Sequence, residues 1–236
     1  MRISHRRYLS ILAALFGMLW VFLGIHPWNR QDWWLENALV IAFAILVAVF
    51  HRTMLFSRVS YTLIFLFLCL HAVGSHYTYS EVPYDTWTRS LFGFSLNELL
   101  CWQRNNFDRI VHFAYGLLLA YPVREVFIRV AGARGFWSYF LPLDLTMSTS
   151  MLYELIEWGA AELFGGELGQ AYLGTQGDVW DAHKDMALAS LGALLSMCTT
   201  AAINLRMQRD FGREWSQSLR LKDPRPLGED SFDRMV

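Results

Sequence analysis

Long uncharged apolar runs alternate with short polar clusters along this chain, and the length of the runs sets the first expectation. Residues 8–25, YLSILAALFGMLWVFLGI, carry no charge over 18 positions. As a helix that run crosses most of a ~30 Å hydrocarbon core. Comparable runs predict helices near 35–50, 59–76, 108–130, 136–163 and 180–205. Pro122 is expected to kink the inner end of the fourth. The fifth is unusual, because Asp144, Glu154 and Glu157 lie inside it. Arg2, Arg6 and Arg7 before the first run resemble a signal-peptide n-region. The run ends in IHPWNRQDWW without a small-residue cleavage site, so a retained first helix is expected. The fold class read from this pattern is all-α: a polytopic membrane protein with a bundle of six transmembrane helices over residues 1–205. A loop at 77–107 contains TWTRSLFGFSLNELL, whose apolar spacing predicts an interfacial helix. Residues 206–236, with Pro224 and Pro226, read as a polar tail. No internal repeat is visible, which gives an inverted-repeat transporter no support.

Composition narrows the class further. The 236 residues are 54% hydrophobic, 16% aromatic and 17% charged, with a net charge of -1. Soluble domains carry about 25% charged residues. The deficit argues against disorder, a nucleic-acid binder or a water-soluble enzyme, and makes membrane lipids the expected partner. Cys69, Cys101 and Cys198 form no CxxC motif. Of the 20 Lys and Arg residues, 15 fall in the N-terminal segment, the 51–58 loop, the 124–134 region and the tail. The other five are Arg30, Arg89, Arg104, Arg109 and Lys184. The positive-inside rule then places both termini in the cytoplasm, N-in and C-in, in a bacterial inner membrane. Trp28, Trp33, Trp34, Tyr77, Tyr79, Trp87, Trp102 and Trp180 gather toward the outer face, as an aromatic belt would.

Ionisable groups inside spans cost roughly 2.5–3.5 kcal/mol each at the helix centre, even on the lenient insertion scale. This chain nevertheless places many of them toward one side. Asp108 and His112 open span four at i,i+4, on one helix face. Glu154 and Glu157, in YELIEW, share a face of span five. Asp178, Asp181 and Asp185 follow i,i+3,i+7 on the way into span six, while His183 points away from them. His71 and His76 end span three and rank behind these. The economical reading is one polar site opening outward, with His112, Glu154, Glu157 and Asp181 around a single cavity. Each piece also has a plainer explanation. Asp108, Asp178 and Asp181 are acids that a helix N-terminus favours, and a lone His is more often a core hydrogen-bonder than a ligand. Two carboxylates within a span must be paired, protonated or metal-bound. Arg109 and Lys184 are the available cations.

Mixed carboxylates and imidazole suit a borderline divalent metal such as zinc or manganese, with His112, Glu154, Glu157, Asp178, Asp181 and Asp185 as the donor set. No HExxH is present. Without a metal, Glu154, Glu157, Asp108 and His112 could serve as acids and bases on a lipid headgroup. The same groups could relay protons in a small carrier, or simply pair across helices as scaffolding. Ser148 and Ser150 read as small polar packing residues rather than nucleophiles. The stretch FGGELGQAYLGTQGD has five glycines but no phosphate-loop pattern, and is expected to fold tightly back over the site.

The segments NNFDRIVHFAYGLLLAYPVRE, YELIEW and GTQGDVWDAHKDM resemble, in content and spacing, the YjdF-type family of uncharacterised bacterial inner-membrane proteins. The likeness runs from the first span to the sixth and implies no activity. More distantly, the Asp108-Arg109-Ile110-Val111-His112-Phe113 opening is similar to the DKxxHF of VanZ-type proteins, with Arg in place of Lys. That group is associated with glycopeptide resistance, so the similarity implies envelope lipid or glycan chemistry by analogy.

Overall fold

A computed structural model describes residues 4–50, 53–164 and 175–222. Every regular element among them is helical. Six helices are long: α1 (His5–Ile25), α2 (Arg30–Phe50), α3 (Arg58–His76), α6 (Phe107–Arg129), α7 (Trp137–Phe164) and α8 (Asp181–Met207). Three are short: α4 (Tyr84–Phe92), α5 (Leu96–Leu99) and α9 (Phe211–Ser218). Length and composition qualify α1, α3, α6 and α8 to cross a membrane. At 1.5 Å per residue, the 21 residues of α2 and 28 of α7 reach about 31 and 42 Å.

The helix starts follow from capping chemistry. Ser4 Oγ accepts from the Arg7 N–H at 3.3 Å, and Ser57 Oγ accepts from the Ser60 N–H at 3.1 Å. The same α3 start is tied to α6 by Glu125, which accepts from the Ser57 N–H at 2.9 Å and the Ser60 hydroxyl at 2.6 Å. Pro122 and Pro142 lie inside α6 and α7, and both helices continue through them.

The centre of the bundle is the pair α6 and α8, which run parallel. A Cβ on Gly116 would strike the Ala189 carbonyl, and one on Gly192 the Phe113 carbonyl. Backbone therefore lies on backbone, with Ala120, Ala189 and Ala193 fully buried beside the two glycines. Small residues at a four-residue spacing allow that approach. The register of this contact also brings polar side chains level with one another: one turn before Gly116 comes His112, and one turn before Ala189 comes Asp185. Toward the opposite end, Ala120, Tyr139, Ala193 and Met197 form an apolar plug, over which Phe211 and Trp215 of α9 pack.

The 77–107 segment is ordered by its own core. Tyr79, Val82, Tyr84, Phe107 and Val111 cluster together, and the Tyr84 hydroxyl donates to Asn97 Oδ1 at 2.6 Å. Thr78 and Tyr79 both hold φ of 53°, a left-handed conformation that is uncommon outside glycine. This turn folds the Tyr79 ring onto Gly74, where no Cβ could fit. The expected helix within TWTRSLFGFSLNELL is α4, capped at its end by the left-handed Gly93. Trp33, expected in an aromatic belt, is instead buried, its ring tilted against Trp20 with a 5.1 Å centroid separation. Part of the expected polar tail is also packed: the Phe136 N–H donates to Ser218 Oγ at 2.9 Å and Trp137 Nε1 to the Ser218 carbonyl at 2.8 Å. Residues 223–236, with Pro224 and Pro226, lie outside the described residues, as does most of the glycine-rich stretch.

Candidate functional site

The α6–α8 register gathers the acids and imidazole into two adjoining groups. The first is an ion cluster at the site end of the bundle. Arg109 Nη2 lies 2.5 Å from Asp178 Oδ2 and 3.1 Å from Asp181 Oδ1. Lys184 Nζ is 2.6 Å from Asp178 Oδ2. Arg104 bonds Asp181 Oδ1 as well, and its other nitrogen donates to the Thr175 carbonyl at 2.7 Å. Three cations thus face two carboxylates. The Lys184 ammonium, then the Trp180 N–H and the Arg109 guanidinium, hold the Asp178 carboxyl well below the usual carboxylate range. Asp178 and Asp181 are committed to these pairs, and they fasten the segment before α6 to the start of α8.

The second group lies one turn deeper and lacks such cations. One ligand atom each from Asp108, His112 and Asp185 fall within 4.8 Å of one another. His112 Nε2 stands 3.5 Å from Asp108 Oδ1 and 3.4 Å from Glu154 Oε1. Asp185 is only 2% exposed, and its Oδ1 has no hydrogen-bond partner among the described residues. Glu154 Oε1 is likewise buried without one. Glu154 and Glu157 lie one turn apart on α7, with the Glu154 side chain 10% exposed and Glu157 7% exposed. Two carboxyls this close and this far out of water call for a proton or a cation nearby. Burial without partners is costly, so this arrangement is one that a bound cation or protons would complete. Three donors in close array, two oxygen and one nitrogen, fit a borderline divalent ion, with Glu154 beside them.

Beside this group runs a cavity of about 430 Å³ between α2, α3, α6 and α7. Asp108 and His112 line its polar end with His71 and Tyr79, and the rest is mostly apolar. Tyr79 Oη sits 2.5 Å from His71 Nδ1, a bond delivered by the left-handed turn at 78–79. Glu154, Glu157 and Asp181, expected around one cavity, do not line it. Glu154 and Glu157 stand behind His112, and Asp181 is held in the ion cluster. His76 is apart from the site, with Nδ1 2.7 Å from the Leu23 carbonyl. His183 is exposed against Trp180.

Several site residues were not among the expected ones. Asp32 and Glu36 on α2 are buried, and Tyr153 Oη donates to Glu36 Oε2 at 3.1 Å while also lying within reach of Glu157. The signal was present, since Asp32 and Glu36 repeat the i,i+4 spacing of Asp108 and His112, but starting the second span at residue 35 put Asp32 outside it. Arg104 is the third cation of the ion cluster. Only the three-dimensional path of the loop reveals it, because it precedes α6 by three residues.

Comparison with known proteins gives this site its family. Residues 8–206 match the family model described as "Predicted membrane protein (DUF2238)". The chain belongs to this family. It is also 36% identical over 205 residues to inner membrane protein YjdF of Escherichia coli (strain K12), covering 86% of this chain and 94% of that protein. No solved structure matches. The chain is a multi-pass inner-membrane protein, and every residue of the ion cluster and of the deeper group falls within the matched range.

Proposed function

We propose that this family member is an envelope enzyme that acts on the headgroup of a lipid or lipid-linked substrate through a divalent-metal centre at Asp108, His112 and Asp185. The observation that carries the proposal is the convergence of those three donors within 4.8 Å, with Asp185 Oδ1 buried and without a hydrogen bond among the described residues. Zinc and manganese are the ions this donor set fits. When bound, such an ion supplies Lewis acidity toward a carbonyl or phosphoryl oxygen and an activated water. The chain's own residues supply the rest. Glu154, 3.4 Å from His112 Nε2, is placed to take a proton. Glu157 lies one turn along α7 from Glu154, with the Tyr153 phenol within its reach.

The topology proposed with it has six spans, α2 and α7 included, with both termini in the cytoplasm and the site toward the outer face. The 15-to-5 distribution of Lys and Arg supports that orientation. A carrier is the alternative, and the apolar plug of Ala120, Tyr139, Ala193 and Met197 counts against it. Asp144, the acid nearest that end of α7, is exposed on the outside of the bundle rather than along a polar path.

Metal analysis of the purified full-length protein tests the proposal. About one zinc or manganese per chain is expected. Asp185→Asn and His112→Ala should each lose it, while Asp178→Asn should keep it. A folded wild-type protein that takes up neither ion would overturn the metal centre.

A further inference from the structure

The cavity beside the metal cluster has the dimensions and lining of a site for a hydrocarbon chain. On α6 its wall descends from Asp108 through His112 and Tyr115 to Leu119. Eleven residues of helix span about 16 Å, which is about half of a ~30 Å hydrocarbon core, or one leaflet. Ile64, Phe67 and Leu68 of α3 make the opposite wall apolar. The cavity also opens sideways. Phe43, Leu152 and Ile156 line it and are exposed on the outside of the bundle. They flank the seam between α2 and α7, across which Tyr153 and Glu36 share their hydrogen bond. A molecule entering there comes from the bilayer rather than from water.

Two polar observations fix the kind of molecule. Ser150 is 2% exposed, lines the cavity, and its hydroxyl has no partner among the described residues. It lies four residues, about 6 Å, along α7 from Glu154, the order of separation between a phosphate and the ester carbonyl of a glycerolipid. At the rim beyond Asp108, Arg109 Nε is buried without a hydrogen-bond partner among the described residues. That open N–H is a donor a phosphate oxygen can accept from.

We infer that the cavity holds one acyl chain of a phosphate-headed membrane lipid, with its ester carbonyl at Ser150 and its headgroup at Asp108, His112 and Asp185. The headgroup's place rests on the metal-centred function proposed for the site, whereas the chain's place rests on the cavity.

Photolabelling of the full-length protein in nanodiscs separates the two. The discs contain phosphatidylethanolamine and phosphatidylglycerol, with a trace of either lipid bearing a mid-chain diazirine, and adducts are mapped by peptide mass spectrometry. Ile64 is buried, so labelling there reports a chain inside the cavity. Phe22 is exposed on α1 and reports the surrounding lipid. Adducts are expected at both. Leu119→Trp and Ser150→Leu, which fill the cavity, should abolish labelling at Ile64 and leave it at Phe22. Label at Phe22 with none at Ile64 would overturn the inference, as would Ile64 labelling that survives in both variants. A diazirine alkane without a headgroup should label Ile64 weakly; labelling equal to that by the phospholipids would overturn the part played by Ser150 and the rim. Asp185→Asn is expected to keep the chain label while losing metal. A metal-free wild type with Ile64 labelled would therefore remove the metal centre alone, and a metal-loaded wild type without that label would remove the chain site alone.

Discussion

Asp178 and Asp185 are seven positions apart on the approach to the same helix, and their surroundings give them opposite tasks. Asp178 meets Lys184 and Arg109 directly, whereas Asp185 is buried with an oxygen left open. From sequence both are acids of one i,i+3,i+7 series. What separates them is Arg104, which joins Arg109 and Lys184 and so commits the cations to Asp178 and Asp181, leaving none for the deeper acids. The ion cluster carries a pH signature with a definite sign. The folded Asp178 carboxyl titrates well below its unfolded value of about 3.9. Its contribution to stability is therefore present above pH 4 and is lost progressively as the pH falls through the folded value. Melting temperatures of wild type and Asp178→Asn should differ at pH 7, with the variant lower, and the difference should shrink progressively as the pH falls below about 4. A difference that stays constant across that range would show that Asp178 does not draw its stabilisation from these cations.

Among the elements, the α6–α8 pair decides where the chemistry lies. Gly116 and Gly192 let two backbones touch, and that contact fixes the parallel register that brings Asp108 and His112 to Asp185. Gly116→Ala would drive a methyl group into the Ala189 carbonyl, where backbone cannot move aside. Overpacking of this kind costs about 1–3 kcal/mol, and parting the helices should weaken metal uptake as well. Gly159 on α7 has nothing within 4 Å of a new Cβ. Gly159→Ala should be neutral or stabilising by up to about 1 kcal/mol. Chemical or thermal denaturation in detergent, read beside metal content, compares the two variants; equal behaviour would show that α6 and α8 are not held by this contact. The helices themselves were legible in the sequence, because a span is written locally in uninterrupted hydrophobicity: α1, α3, α6, α7 and α8 begin and end within a few residues of the apolar runs. The start of α2 was not, since QDWWLEN mixes two acids with two tryptophans and the helix nonetheless begins at Arg30. Candidate acids were visible as charges where hydrocarbon is expected. Their division into an ion cluster and a metal-competent trio was not, because it depends on a register set by glycine against alanine.

For the molecule as a whole, the polar end and the apolar plug give the bundle a direction, and orientation decides which compartment the polar end faces. The five minority cations, Arg30, Arg89, Arg104, Arg109 and Lys184, lie toward the end that holds the site, and the remaining 15 fall by sequence in the N-terminal segment, the 51–58 loop, the 124–134 region and the tail. A bias of that size orients a multi-span protein with its basic loops in the cytoplasm. Cys101 provides a native reporter, since it is exposed between α5 and α6 at the site end. With Cys69 and Cys198 replaced by alanine, a membrane-impermeant maleimide should label Cys101 in intact cells stripped of any outer barrier, before the membrane is permeabilised. An epitope fused after Val236 should become accessible only afterwards. Both results are needed: Cys101 outside with the C-terminus inside requires an odd number of crossings between them, which α6, α7 and α8 would supply in the proposed six-span topology. If Cys101 reacted only after permeabilisation, the Asp108, His112 and Asp185 group and the cavity mouth would face the cytoplasm. Lipids of the inner leaflet would then be the ones within reach, and the envelope-facing enzyme would have to be given up even with its metal in place.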